Sequence, residues 1–139
     1  MPNASRSRWW VAAALVAGLA GCGDGREAYQ VSGRAQYQGG TPITGGVRVV
    51  RLEPSQDSQA EIRKAASGNI APDGTFELFT RKPGDGVIAG SYVVTFTVLD
   101  KPMGGRSLIP EKYNRSTDTP FTIVVDDDKD DLLYELEKQ

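Results

Sequence analysis

From Tyr29 onward, apolar residues recur at every second position in short runs, each broken by glycine, proline or aspartate. A period of two marks strands with one buried face, and no stretch shows the 3.6-residue period of a helix. The first run, Tyr29 to Tyr37, ends at Gly39-Gly40-Thr41-Pro42, where glycine permits positive φ and proline presets φ for a turn. A second strand is expected over Gly46 to Glu53. There Val47 and Val49 face one way, Val50 and Leu52 the other, and Arg48 and Arg51 are interleaved, so a bulge or a change of sheet is expected. A third strand, about Ile62 to Ile70, reaches Pro72-Asp73-Gly74 and returns as Thr75 to Thr80, with Phe76 and Leu78 on one face; this reads as a hairpin. After a loop at Arg81 to Gly90, the run Ser91 to Leu99 carries the strongest core stripe, Tyr92, Val94, Phe96 and Val98. Asp100 to Thr119 is the longest segment without alternation. Phe121, Ile123 and Val125 then line one strand, Asp126 to Asp131 form an acidic turn, and Leu132, Tyr134 and Leu136 line a closing strand. The pattern predicts an all-β antiparallel sandwich of about seven strands.

The segment before Tyr29 has a different character. Arg6 and Arg8 precede the apolar run Trp9 to Ala20, and Leu19-Ala20-Gly21-Cys22 follows, with the only cysteine of the chain directly after two small residues. This is the layout of a secretory signal, and it resembles the lipobox of bacterial lipoproteins. The resemblance implies that the Cys22 thiol receives a diacylglyceryl group, that residues 1–21 are removed, and that the new amino terminus is acylated. Three other readings fit less well. An uncleaved span needs about 20 apolar residues, and this run meets Asp24 too soon. Cleavage by ordinary signal peptidase after Gly18-Leu19-Ala20 would leave a stray thiol, and the flanking Gly21, Gly23 and Gly25 argue against a core cysteine. The expected organisation is a signal peptide at 1–21, a lipidated cysteine and flexible tether at 22–28, and one domain at 29–137. The expected location is the cell envelope, on its periplasmic or outer face.

Composition narrows the chemistry. Removing residues 1–21 from the 139 leaves 118, enough for one domain. Without Arg6 and Arg8, 14 of the 16 basic residues face 18 acidic ones, a balance that suits no nucleic-acid partner, whose phosphates call for a basic surface. With its cysteine committed to lipid, the domain has no disulfide and rests on its hydrophobic core. The chain has no histidine, which removes the Ser-His-Asp triad, the Cys-His pair and the commonest zinc ligand. No catalytic residue, metal or cofactor is assigned.

Several motifs invite sharper readings. The carboxylates of Asp126 to Asp131 suit calcium by composition, but the run lacks the alternate ligands, central glycine and terminal glutamate of an EF-hand; a solvated turn guarding strand edges explains it better. Asn114-Arg115-Ser116 matches a glycosylation sequon that a bacterial lipobox makes a chance match. Gly84-Asp85-Gly86 lacks the Lys-Ser/Thr of a phosphate loop. The long loop supplies the one binding hypothesis: Arg106, Lys112, Tyr113 and Arg115 combine cations with a ring, suited to an acidic glycan, a phosphorylated polymer or a peptide carboxylate. The competing reading, which takes precedence, packs Tyr113 and Ile109 onto the sandwich edge and leaves the cations solvated.

Gly68-Asn69-Ile70-Ala71-Pro72-Asp73-Gly74-Thr75-Phe76, Lys82-Pro83-Gly84-Asp85-Gly86, Gly90-Ser91-Tyr92-Val93-Val94 and Ile109-Pro110-Glu111-Lys112-Tyr113, in that order behind a lipobox, resemble small envelope lipoproteins with a carboxypeptidase regulatory-like domain. The resemblance runs from about Val31 to Leu136. It implies a seven-stranded sandwich of the transthyretin (prealbumin) type serving as an accessory, stabilising or binding module. Hydroxyisourate hydrolases share that fold, but they rely on histidines and a Tyr-Arg-Gly-Ser tail, whereas this chain has no histidine and reads Tyr134-Glu135-Leu136-Glu137. The leading expectation is a lipid-anchored, non-catalytic structural or protein-interaction module with an envelope protein or glycan partner. A polysaccharide-binding module is the alternative, weakened because both tryptophans, Trp9 and Trp10, leave with the signal peptide. A histidine-free hydrolase using Glu111, Lys112 and Tyr113 stands behind it, with no nucleophile and base assignable.

Overall fold

A computed structural model describes residues 27–60 and 62–139. The expected signal and lipid-attachment residues Leu19, Ala20, Gly21 and Cys22 lie outside the described residues. The strands are β1 (Ala28–Tyr29), β2 (Val31–Tyr37), β3 (Val47–Pro54), β4 (Ala66–Asn69), β5 (Thr75–Leu78), β6 (Val87–Ile88), β7 (Gly90–Leu99), β8 (Thr122–Val125) and β9 (Lys129–Leu136). Seven have four residues or more, and the two short ones, β1 and β6, pair with each other. The rest form a sandwich of a three-stranded sheet, β5-β2-β9, and a four-stranded sheet, β4-β3-β7-β8. Pairing begins at Ala28, and Glu27 already accepts a hydrogen bond from the Ala89 amide, so the fold takes in the last residues of the expected tether.

The alternation of the sequence becomes the core. Tyr92, Val94, Phe96 and Val98 of β7 are buried against Val31, Ala35 and Tyr37 of β2, Phe76 and Leu78 of β5, and Tyr134 and Leu136 of β9. Burying one such side chain contributes about 1.5–3 kcal/mol. The expected irregularity in β3 is absent: its ladder with β7 runs unbroken from Val47↔Leu99 to Pro54↔Tyr92. Val50 and Leu52 fill the core while Val47 and Val49 lie half-buried on the outer face. Arg48 shares the parity of Val50 and Leu52 but sits near the strand's end, where its guanidinium donates to the carbonyls of Ile70, at 3.0 Å, and Gly45, at 2.5 Å. A charge is tolerated on the inner parity because carbonyls at the rim satisfy it.

Three further expectations change. The third strand is shorter than Ile62 to Ile70, since ladder pairing begins only at Ala66. The turn after it forms as expected: Gly74 has φ +91°, its amide donates to the Ala71 carbonyl at 2.8 Å, and the Asp73 carboxylate accepts from the amide and hydroxyl of Thr75. The two strands it joins nevertheless part, β4 into one sheet and β5 into the other, and meet at a bridge between Ser67 and Phe79. Gly68 allows that crossing, because a Cβ there would lie 2.1 Å from the Glu77 carbonyl oxygen. Finally, the sandwich is not wholly antiparallel. The chain leaves β8, crosses to the other sheet through Asp126-Asp127-Asp128, and β9 runs parallel to β2. The acidic turn is therefore shorter than expected, Lys129 to Asp131 belonging to the strand. A register shift between Val31 and Gly33 gives β9 an extra residue at Asp130-Asp131, and a bulge with two aspartates keeps this long edge from pairing with other chains.

Candidate functional site

β8 covers only the first residues of β7, Gly90 to Val93. Beyond them β7 needs partners for its edge, and the long loop supplies them. Phe121 accepts from the Val94 amide at 2.9 Å, and the Thr119 hydroxyl donates to the Val94 carbonyl at 2.6 Å. The Asn114 amide group donates to the Phe96 carbonyl and to the Thr97 hydroxyl, the latter at 2.9 Å. The Leu108 amide donates to the Val98 carbonyl at 2.9 Å, and Ser107 bridges Leu99. The segment that lacks alternation is thus zipped along the sheet edge by backbone and side-chain bonds in turn.

Packing follows the same path. Ile109 is fully buried and Tyr113 is 3% exposed. The Tyr113 ring stacks on Phe121, with centroids 5.7 Å apart and planes 10° apart. Phe121 in turn meets Tyr134 at 5.1 Å and Phe96 at 5.8 Å, edge to face. The rings join β7, β9 and the loop in one cluster, worth about 0.5–1.5 kcal/mol per pair beyond area burial. Burial pushes the Tyr134 hydroxyl up to about 12.

Two of the three cations expected to bind a ligand, Lys112 and Arg115, have partners of their own. The Lys112 ammonium donates to Glu137 Oε1 at 2.8 Å and lies 5.0 Å from the Tyr113 ring centroid. The hydrogen bond to Glu137 raises its pKa. Arg115 bonds Glu111 at 2.5 Å and lies 3.6 Å from Asp118. Arg106 is exposed, and its backbone amide, not its side chain, does the structural work by donating to Asp100 Oδ1 at 2.8 Å. The fold places Lys112, Tyr113 and Arg115 on one short 3-10 turn, Glu111–Tyr113, and the residues after it, but it does not aim them at a common point. Glu111 and Lys112 each pair elsewhere, and the Tyr113 hydroxyl accepts from the Glu137 amide at 3.3 Å, so the three share no target atom.

The other motifs are also engaged internally. Asp85 turns its carboxylate onto the amides of Thr80, Arg81 and Lys82, the kind of amide cradle a phosphate would occupy. Desolvation pulls its pKa up, but those three amides and the nearby Lys82 outweigh it, and the carboxyl titrates below its ordinary value. In the acidic turn, Asp128 accepts from the Gln30 amide, and Lys129 bonds Asp127 at 2.9 Å and lies 3.7 Å from Asp126. Lys129 holds the Asp127 carboxyl below its usual range. Among the described residues, no three His, Cys, Asp or Glu side chains converge as a metal site. The Asn114 amide nitrogen, the atom of the sequon match, is committed to β7.

Two features escape the alternation of the sequence. A cleft of about 360 Å³ opens between the loop and the end of β7, lined by Thr97, Ser107, Glu111, Asn114 and Gln139 among others. In the same loop Met103 is 87% exposed; an apolar residue set between Pro102 and Gly104-Gly105 is the signal that would have found it. Compared with protein families, curated proteins and solved structures, the chain matches none.

Proposed function

We propose that this protein is a lipid-anchored, non-catalytic β-sandwich of the cell envelope, built on the carboxypeptidase regulatory-like plan and acting as a structural or protein-interaction module. The observation that carries the reading is the polarity of the fold. The chain enters at the end where β1 meets β6, just downstream of Cys22, while the outermost part of the long loop lies beyond the far end of β7. Ten residues of strand separate those ends by about 30 Å. A diacylglyceryl group on Cys22 would hold one end near a bilayer and present the other. Anchoring raises the effective concentration toward any partner in the same envelope, so no deep site is required.

The satisfied state of the long loop also supports a binding or structural role over catalysis, since Glu111, Lys112 and Tyr113 spend their polar atoms on the protein itself. Tyr37, Tyr92, Tyr113 and Tyr134 are buried and Tyr29 is partly buried against the core, which disfavours a stacking platform for a sugar. Replacing Cys22 with alanine is expected to move the protein from the membrane to the soluble fraction and to remove the lipid mass from the mature chain. Retention in the membrane at unchanged mass would overturn the anchor.

A further inference from the structure

Past Leu99 the chain runs out into a tip, residues 100–106, before Ser107 returns to bridge Leu99. The tip is stiff. The Asp100 amide donates to the Arg106 carbonyl at 3.0 Å, and the Arg106 amide donates back to Asp100 Oδ1 at 2.8 Å. Gly46 and Gly105 press against its backbone so closely that a Cβ would fall 2.8 Å from Lys101 Cα in the first case and 2.1 Å from the Lys101 oxygen in the second. At the apex Met103 is 87% exposed, more than Val124 at 57% and Leu133 at 55%, the other exposed large hydrophobic residues among the described ones. Lys101 and Arg106 flank it, both exposed, and neither forms an ion pair among the described residues. The tip's one carboxylate, Asp100, is occupied by the Arg106 amide.

We propose that this tip is a protein-docking surface, in which Met103 seats in an apolar pocket of an envelope protein whose rim carries carboxylates opposite Lys101 and Arg106. The inference rests on the interaction-module reading above and names its surface and the chemistry of the partner. A thioether held out on a loop whose base is hydrogen-bonded and tightly packed is a preorganised anchor: docking has less backbone to order, and the unbranched side chain adapts to an irregular pocket. Methionine and arginine are both enriched in protein interfaces. The relief decides between a protein and a lipid surface. Leu99 and Ser107, which close the tip, also line the 360 Å³ cleft with Glu111 and Asn114. A knob whose base lines a cleft of mixed polar and apolar side chains is complementary to a shaped protein surface, and a flat headgroup layer would leave the cleft unfilled. The tip also projects from the end of β7 remote from β1, where the described chain begins.

The test places a photoreactive amino acid at position 103 of the full chain in intact cells, with a second probe at exposed Val124 as control, and identifies adducts by mass spectrometry. One dominant protein adduct is expected, linked through a peptide carrying Asp or Glu. Its yield falls at least tenfold in K101E/R106E, a variant whose thermal midpoint stays at that of the parent because both side chains are exposed. A lipid adduct, a protein adduct indifferent to charge reversal, or no adduct at 103 overturns the proposal. If position 124 captures a protein while 103 does not, the interaction module stands and only the tip assignment falls.

Discussion

Truncating Tyr113 to alanine is expected to cost about 3 kcal/mol of folding free energy, because its buried ring stacks on Phe121 and joins the cluster with Tyr134 and Phe96. Replacing the adjacent Lys112 with glutamine is expected to leave the urea midpoint unchanged, since its pair with Glu137 is exposed on both sides and such pairs contribute little. Equilibrium urea unfolding of the two variants separates ring from charge. Tyr134 supplies a second test. Its hydroxyl is pushed up to about 12 by burial, whereas an unfolded tyrosine ionises near 10. Above pH 10 the unfolded state therefore loses this proton first, and stability falls as pH rises from about 10 to about 12. Phenolate absorbance of the folded protein is expected to include a late step near pH 12, and Tyr134→Phe removes it. At this scale the sequence was only half legible. Tyr113 and Ile109 were readable as apolar, but that Lys112 and Arg115 would be paired with Glu137, Glu111 and Asp118 depended on where the backbone set them.

Between elements, the closest approaches are made by glycines. A Cβ on Gly33 would lie 2.4 Å from the Leu132 oxygen in the neighbouring β9. Gly33→Ala must push apart the one parallel pair among the described strands and is expected to destabilise by about 2–3 kcal/mol, read as a lower urea midpoint. Asp85 is the matching test in a loop. Its carboxyl titrates below the ordinary value because the amides of Thr80, Arg81 and Lys82 outweigh desolvation. That contribution is fully present above the unfolded pKa of about 4 and is lost as pH falls through the folded one. Asp85→Ala is expected to lower the urea midpoint at pH 7, with the gap to the parent closing as pH drops toward 2. The Pro72-Asp73-Gly74 turn was legible because turn chemistry is local. The parting of β4 and β5 into different sheets was not, since only their ladders with β3 and β2 decide it.

Over the whole molecule, strand direction sets the end where β1 meets β6 apart from the tip at Met103, and the tip owes its exposure to the loop's return along β7. The alternation of Tyr92, Val94, Phe96 and Val98, the turn residues and the missing helical period determined an all-β sandwich with this core, because a strand buries every second residue whatever it pairs with. Local sequence also carried the resemblance of Leu19-Ala20-Gly21-Cys22 to a lipobox, which rests on residue type and order alone. Tertiary structure decided the rest. It made β9 run parallel to β2, kept β3 regular, and turned a twenty-residue loop into a covering for β7 through bonds from Thr119, Asn114 and Leu108. Those outcomes depend on which backbone groups lack partners once the sheets have formed. That is a property of distant segments brought together, and no local pattern of apolar and polar residues encodes it.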